Sequence, residues 1–224
     1  AYSHMAATVY NNRAYVIGGL DKQVGIECQV YTSENNSWLF EFPSLPKGRF
    51  NSVCFVYRDS LYVFGGTDNS SNMNEIVRYD LSTQNSGEWT TIAKVNEANQ
   101  RGGVAFVVED KVYAGLGEKS NGIRNGFYVS SDSLTKWELI PSIPAQLGVI
   151  SSGVYDEQKK SFFMIDNDGK IWEYNLTTEQ WTSRSLWIRM KNYHMFMLDG
   201  SIYILGQDIY QKNKFTVYNP IWDN

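Results

Sequence analysis

The sequence predicts an all-β protein built from propeller blades, and three observations carry this prediction. Tryptophan recurs at intervals of 51, 48 and 44 residues, at Trp38, Trp89, Trp137 and Trp181. Trp38 and Trp89 each follow a hydrophobic run that ends in paired glycines, best seen in Leu61-Tyr62-Val63-Phe64-Gly65-Gly66. Aromatic residues make up 15% of the chain, and flat rings pack well on pleated sheets. A repeat of about 50 residues with four strands is typical of blades that bury both sheet faces by stacking.

The strands of the first three repeats follow from apolar runs separated by turn residues. In the first repeat we expect strands at 3–10, 13–19, 28–32 and 37–42, with Asn11-Asn12 as a tight hairpin turn. The second repeat is the best preserved, with expected strands at 51–57, 60–66, 76–80 and 88–92. The third is expected at 103–108, 111–117, 126–130 and 136–140.

The last two repeats are degraded. In the fourth the paired glycines are lost, and strands are expected at 151–155, 161–165, 170–175 and 180–183. The fifth offers strands at 193–198, 201–206 and 215–219, and only Ile221-Trp222 could be a remnant of its fourth strand. The expected blades are therefore 1–47, 48–97, 98–146, 147–188 and 189–224, about five four-stranded blades in one propeller domain with the last incomplete. A chain that opens on a first strand and ends after a third is expected to be part of a longer protein. The alternative is a small five-bladed ring with a three-stranded last blade.

These repeats resemble the kelch repeat. The resemblance rests on Tyr15-Val16-Ile17-Gly18-Gly19 and Tyr62-Val63-Phe64-Gly65-Gly66, each followed by a tyrosine and then a tryptophan. It covers essentially the whole chain, strongly in the first two repeats and weakly in the fourth. It implies that the paired glycines end the second strand of a blade, that the tyrosine lies on the third strand and that the tryptophan begins the fourth.

Composition and motifs exclude several functions. The net charge is −4 and no basic run exceeds two residues, which argues against nucleic-acid binding. No apolar run approaches the length of a membrane-spanning helix, so no membrane insertion is expected. Cys28 and Cys54 lie in apolar strands and are expected to be free buried thiols, with a disulfide as the alternative. No catalytic, metal-binding or cofactor-binding signature is present, so none of these sites is predicted.

Ligands of propellers usually meet the axial mouth or the loops of one face, and the repeat phase identifies both. We expect His4, Asn51, Gly102 and Asn192 to be equivalent positions at the mouth, with Arg49 and Arg101 at or just before the same place. This set would form a polar, mildly cationic ring able to hold an anionic sugar, a carboxylate or an acidic peptide. Alternatively, the arginines bond to carbonyls of neighbouring blades. The mouth candidates are His4, Arg49, Asn51, Arg101, Asn192 and His194.

The long polar loops between second and third strands are the other candidates, because loops of one face vary and bind. They span 19–27, 67–75, 117–125 and 207–214. Ile123 and Tyr210 are their apolar hot-spot candidates. The loop candidates are Asp21, Lys22, Asn69, Asn72, Glu118, Ile123, Arg124, Asp208 and Tyr210.

Two classes of function remain open. The kelch resemblance implies a non-enzymatic module that binds a protein partner, as in cytoplasmic ubiquitin-ligase adaptors. Turns rich in serine and asparagine, such as Tyr128-Val129-Ser130-Ser131-Asp132, instead favour an extracytoplasmic kelch-like protein of the bacterial envelope, with a glycan as partner. The alternative is a carbohydrate-active enzyme resembling kelch-type sialic-acid mutarotases. An enzyme is expected to show a deep polar axial pocket, and a protein platform an apolar-rimmed loop face.

Overall fold

The computed structural model describes residues 3–83, 85–119, 122, 126–131, 133–141, 143–187, 191–208 and 210–218. The chain divides into two compact units, unit 1 (Ala1–Leu139) and unit 2 (Ile140–Asn224). All of the described sheets are antiparallel and follow chain order, and we number them as blades 1 to 5.

Unit 1 contains three four-stranded blades. Blade 1 comprises β1 (Ala6–Tyr10), β2 (Arg13–Ile17), β3 (Cys28–Thr32) and β4 (Ser37–Phe42). Blade 2 comprises β5 (Val53–Tyr57), β6 (Ser60–Phe64), β7 (Glu75–Asp80) and β8 (Thr90–Lys94). Blade 3 comprises β9 (Val104–Val108), β10 (Lys111–Gly115), β11 (Phe127–Ser130) and β12 (Glu138–Leu139). Short 3₁₀ turns occupy Leu81–Thr83 and Asn96–Ala98.

Blades of unit 1 pack face to face through alternating apolar residues. One core joins blades 1 and 2 and includes Ile17, Val30 and Val63, all almost fully buried. A second core joins blades 2 and 3 through residues such as Phe64 and Ala114. Because successive side chains of a strand point to opposite faces of the sheet, each blade can pack against both neighbouring blades. The cores explain why the hydrophobic runs recur once in every repeat.

Both cysteines belong to the first core. Cys28 and Cys54 are buried free thiols, so the disulfide alternative is not found. Burial raises the pKa of the Cys28 thiol to about 12 and raises the pKa of the Cys54 thiol further. Thiols held in the protonated form are poor nucleophiles, which gives these cysteines a packing role.

Two of the repeated tryptophans, Trp89 and Trp137, pack on the blade that precedes their own. The indole of Trp89, in blade 2, donates a hydrogen bond to the Pro43 carbonyl oxygen at 2.8 Å and joins the core of blades 1 and 2. The ring of Trp137, in blade 3, lies edge-on to Phe64 of blade 2 with the ring centroids 5.2 Å apart. In blade 1 the equivalent Trp38 is 46% exposed and contacts Tyr31 of its own sheet.

Unit 2 contains a four-stranded blade and a three-stranded one. Blade 4 comprises β13 (Ile150–Asp156), β14 (Ser161–Asp166), β15 (Lys170–Asn175) and β16 (Gln180–Trp187). Blade 5 comprises β17 (Lys191–Leu198), β18 (Ser201–Gln207) and β19 (Asn213–Tyr218). Their shared core includes Phe163, Ile171 and Ile204, all fully buried.

The predicted fold class is confirmed: the described chain is all-β, with four four-stranded blade sheets and a last sheet of three strands. The predicted remnant at Ile221-Trp222 lies outside the described residues. A single propeller domain over 1–224, with the blade bounds given above, stays a prediction. Within the described part of the chain, no helix has the length and apolar character needed to cross a membrane.

Candidate functional site

A ladder of left-handed residues runs across the first-strand ends of unit 1. The backbone amide of Asn51 donates to the His4 carbonyl oxygen at 2.9 Å, and that of Gly102 donates to the Asn51 carbonyl oxygen at 2.7 Å. His4, Asn51 and Gly102 have φ values of 58°, 49° and 69°. Asn192, within unit 2, has the same conformation with φ 54°. The four positions aligned by offset therefore share one backbone geometry, which asparagine and glycine adopt most readily.

Arg49 does not belong to an accessible mouth. Its side chain is 0% exposed, and its guanidinium donates to the Gly65 carbonyl oxygen at 3.1 Å and lies 3.5 Å from a Glu75 carboxylate oxygen. Burial lowers the pKa of Arg49, and the nearby Glu75 carboxylate partly offsets this effect. The Arg49 carbonyl oxygen also accepts a hydrogen bond from Gly19 at 2.9 Å. Arg49 thus joins blades 1 and 2, which corrects its prediction as a ligand-binding residue and favours the structural alternative.

The third blade uses Gln100 where the second uses Arg49. Gln100 is 1% exposed, its carbonyl oxygen accepts from Gly66 at 2.8 Å, and its side-chain oxygen accepts from Gly117 at 2.7 Å. The grouping of Arg49 with Arg101 by sequence does not identify Gln100. Its position in the repeat could have identified it, because Gln100 precedes Gly102 by the same interval that separates Arg49 from Asn51.

The remaining mouth candidates of unit 1 are accessible but not cationic as a set. His4 is exposed, with its Nδ1 atom 2.8 Å from the Ser3 hydroxyl and its ring packed edge-on against Phe50. Asn51 is half-buried. Arg101 is exposed and donates from Nε and Nη2 to one Glu118 carboxylate oxygen at 3.1 and 2.9 Å. Since Arg49 is buried and Arg101 is paired with Glu118, unit 1 does not present the predicted mildly cationic ring.

Side chains brace the loops of this face against one another. The Asn72 amide, in the β6–β7 loop, donates to the Glu118 carbonyl oxygen of the β10–β11 loop at 2.9 Å. Lys47 forms an ion pair with Asp68 at 2.8 Å. The second Asp68 oxygen accepts from the backbone amides of Ser70 and Ser71, both at 3.0 Å. Lys47 first, and then the serine donors, hold the pKa of Asp68 well below its usual range. Sequence reasoning missed the bracing roles of Lys47 and Asp68.

Three other loop candidates of unit 1 are exposed. Asp21 and Lys22 lie in the β2–β3 loop, and Asn69 lies in the β6–β7 loop with φ 79°. Two apolar side chains near this end of the blades, Met5 and Ile26, are also exposed. Ile123 and Arg124 lie outside the described residues.

The candidates of unit 2 form a separate group. Asn192 is exposed and donates from its amide to the Gln207 side-chain oxygen at 3.1 Å. His194 lies within β17, opposite Leu205, and Asn192 occupies the position equivalent to His4. Asp208 accepts from the backbone amides of Tyr210 and Lys212, both at 2.9 Å, and this turn leaves the Tyr210 side chain 75% exposed.

The candidate residues carry polar side chains of several chemical types. Among the described residues, no three histidine, cysteine, aspartate or glutamate side chains group closely enough to hold a metal ion. The loop face of unit 1 instead offers amide, carboxylate, imidazole and guanidinium groups on a braced backbone. Such a surface can hydrogen-bond a polar partner with little rearrangement.

The chain is similar to several known kelch-repeat proteins. The family model of the KLHDC2/KLHL20/DRC7 Kelch-repeats domain matches residues 1–153. Mouse Kelch-like protein 36 is 27% identical over 165 residues, which cover 68% of this chain and 26% of that protein. Kelch repeat and BTB domain-containing protein 1 of ectromelia virus (strain Moscow) is 25% identical over 227 residues, which cover 96% of this chain and 39% of that protein. The chain therefore spans well under half the length of these curated relatives.

A solved structure supports the fold. The structure of YjhT superposes with a TM-score of 0.78, 16% sequence identity, and coverage of 97% of this chain and 84% of that one. At this identity the likeness concerns the fold alone. Together with the repeat pattern and the family model over residues 1–153, it completes the assignment: the chain belongs to the kelch-repeat family and has the fold of a kelch-type β-propeller.

Proposed function

We propose that this chain is a non-enzymatic interaction module that recognises a protein partner through the loop face of unit 1. This face consists of the β2–β3, β6–β7 and β10–β11 loops together with the first-strand ends at His4 and Asn51. Kelch domains are protein-interaction modules in general, and the proposal extends that role to a particular surface of this chain.

The observation that carries the proposal is the bracing of the loops. The contacts Asn72–Glu118, Lys47–Asp68 and Arg101–Glu118 are each 2.8 to 2.9 Å long, and they connect the β6–β7 loop with Lys47 and with Glu118 at the start of the β10–β11 loop. Loops that are fixed before binding lose little conformational entropy when a partner arrives. The exposed side chains of Asp21, Lys22 and Asn69 lie on these loops, where a partner can contact them.

The partner's chemistry follows from the same residues. The face mixes both signs of charge, and two of its cations are already paired with carboxylates. It therefore suits a polar protein loop better than a strongly charged ligand, with Met5 and Ile26 supplying exposed apolar contacts. In unit 2, Tyr210 is an exposed aromatic residue that can anchor a partner in the same chemical way.

Photo-crosslinking in cells expressing the full-length protein tests the face. A photoreactive phenylalanine replaces Asn69 on the loop face, and in the matched control it replaces Glu34, an exposed residue in the β3–β4 turn at the opposite end of the blades. We expect a discrete crosslinked protein from position 69 and none from position 34. Crosslinks of equal yield from both positions contradict the proposal.

A second set of measurements distinguishes the partner classes. The captured partner is purified, and its affinity is measured for the wild type and for Asp21→Ala combined with Asn69→Ala, with Glu34→Ala as control. Loss of about tenfold in affinity is expected for the loop variant alone. A glycan array returns specific binding if the partner is carbohydrate, which overturns the protein proposal. Anomer exchange of sialic acid, followed by NMR, would establish the mutarotase alternative.

A further inference from the structure

A groove lies on blade 3 at the end opposite the loop face. Its volume is about 400 Å³. It is lined by Lys111, Val129, Ser130, Ser131, Ser133, Lys136 and Glu138. None of these residues takes part in the loop face, so the groove is a separate feature of unit 1. Asp132, between two of the serines, lies outside the described residues.

The ends of three neighbouring strands bring the polar groups of the groove together. Val129 pairs with Tyr113 on one side and with Glu138 on the other. Lys111 begins β10 at this end of the blade, and Ser131 and Lys136 lie in the connection between β11 and β12. The side chains of Lys111, Ser131 and Lys136 are exposed. Two ammonium groups and several serine hydroxyl groups therefore line one groove.

The two lysines differ from other lysines of unit 1 in their ion pairing. Other lysines of unit 1 form ion pairs, as Lys47 does with Asp68 and Lys94 with Glu75. Within the described part of the chain, no carboxylate oxygen lies within ion-pairing distance of Lys111 or Lys136. Glu138 is the single acid among the described residues of the lining. The described lining thus carries one more positive charge than negative.

The lining matches an oxyanion with several acceptor atoms. Lysine offers three rotatable donors and serine offers one, so the groove lining can donate to different oxygens of one tetrahedral group. Charge-assisted hydrogen bonds of this kind are the stronger ones in proteins. The volume lies within the range of small-molecule sites and exceeds what a bare phosphate ion fills. Glu138, at the start of β12, can accept a hydrogen bond from a hydroxyl group of the same ligand.

We propose that this groove binds the phosphoryl group of a small phosphate monoester that also carries hydroxyl groups, such as a phosphorylated sugar. Lys111 and Lys136 contact the phosphoryl oxygens, the serine hydroxyls complete the contact, and Glu138 accepts from the sugar. The site is independent of the protein partner proposed above, because the two surfaces lie at opposite ends of blade 3.

Titration calorimetry of the full chain with glucose 6-phosphate at low salt tests this inference. We expect saturable binding with a dissociation constant of about 1 mM or tighter, weakening as salt is added. Glucose alone, which lacks the phosphoryl group, is expected not to bind. Inorganic phosphate is expected to bind more weakly, because it cannot reach Glu138. Phosphate that binds as tightly as the ester contradicts the assigned sugar contact.

Charge-removing variants locate the site. Lys111→Met and Lys136→Met keep the aliphatic stem and are each expected to lose about tenfold in affinity. Lys160→Met, in the exposed β13–β14 turn of unit 2, makes the same change in net charge and is expected to have no effect. Far-UV circular dichroism of each variant reports whether it is folded. The absence of saturable binding to the folded wild type overturns the proposal, and so does an equal loss in all three variants.

Discussion

Replacing Arg49 with alanine is expected to lower the free energy of unfolding by about 3 kcal/mol. The guanidinium is fully buried and supplies a donor to the Gly65 carbonyl oxygen at 3.1 Å. Removing it leaves that buried acceptor without its donor, which costs about 1–3 kcal/mol. The vacated stem adds a cavity between blades 1 and 2, and this moves the total toward the upper part of that range.

The environment of Glu75 limits the loss of stability expected for Arg49→Ala. A buried ion pair broken on one side typically costs about 3–5 kcal/mol because a charge is left unpaired. Glu75 retains Lys94, whose ammonium lies 3.4 Å from its other carboxylate oxygen, and its side chain is partly exposed. The expected cost therefore falls at the low end of that interval. Arg49→Met, which keeps most of the stem, is expected to cost about 1–2 kcal/mol.

Urea unfolding followed by tryptophan fluorescence measures these differences. Arg101→Ala is the matched control, because Arg101 carries the same side chain but is exposed and pairs only with Glu118. We expect it to change stability by less than about 1 kcal/mol. Equal unfolding midpoints for Arg49→Ala and Arg101→Ala would refute the assignment of a structural role to Arg49.

The remaining predictions concern other packed and titrating groups. Trp89→Ala is expected to cost about 3 kcal/mol in urea unfolding and Trp38→Ala about half as much, because only the first indole joins an inter-blade core; equal costs would contradict this packing. The depressed pKa of Asp68 stabilises its loop above about pH 4, its unfolded value, and that contribution disappears as the pH falls through the folded pKa. Amide exchange at low pH measures it, and Asp68→Asn should abolish the pH dependence. With the raised pKa values of Cys28 and Cys54, a thiol reagent at about pH 8 is expected to label both only as fast as the protein unfolds. Rapid labelling of the native protein would show that the thiols are accessible.

Strand positions could be predicted wherever local patterns and packing agree. The fourth strand of blade 1 and the third strand of blade 4 are predicted at 37–42 and 170–175, which are the observed bounds of β4 and β15. The prediction at 136–140 is too long, because only Glu138–Leu139 pairs as a strand. Trp137 explains the difference: its indole donates to the Leu134 carbonyl oxygen while its ring packs on Phe64. The start of β12 therefore depends on a tertiary contact, which local sequence propensity cannot predict.

The site shows a similar division. The left-handed ladder could be predicted by offset, because equivalent turns place His4, Asn51 and Gly102 in the same conformation. The different environments of the two arginines could not be predicted in this way, since Arg49 precedes its ladder residue by two positions and Arg101 by one. In extended backbone a shift of one residue sends the side chain to the opposite side. One guanidinium therefore enters the protein and the other meets solvent, although the sequence places both near the mouth.

The strands of blade 4 could be predicted although the paired glycines are absent from this blade. In blade 2 the paired glycines end β6, and a Cβ atom on Gly65 would lie 2.5 Å from the Ala98 carbonyl oxygen. In blade 4 the corresponding turn is short, and the buried Asp166 accepts from the backbone amides of Asp168 and Lys170 at 3.0 and 2.9 Å. Its other oxygen accepts from the Trp172 indole at 2.9 Å. A carboxylate that satisfies the turn thus replaces the close approach of a neighbouring backbone that glycine permits at Gly65, and the hairpin of β14 and β15 is kept. The hydrophobic residues recur in blade 4 because they form its core. The paired glycines are found in blade 2, where a neighbouring backbone approaches closely.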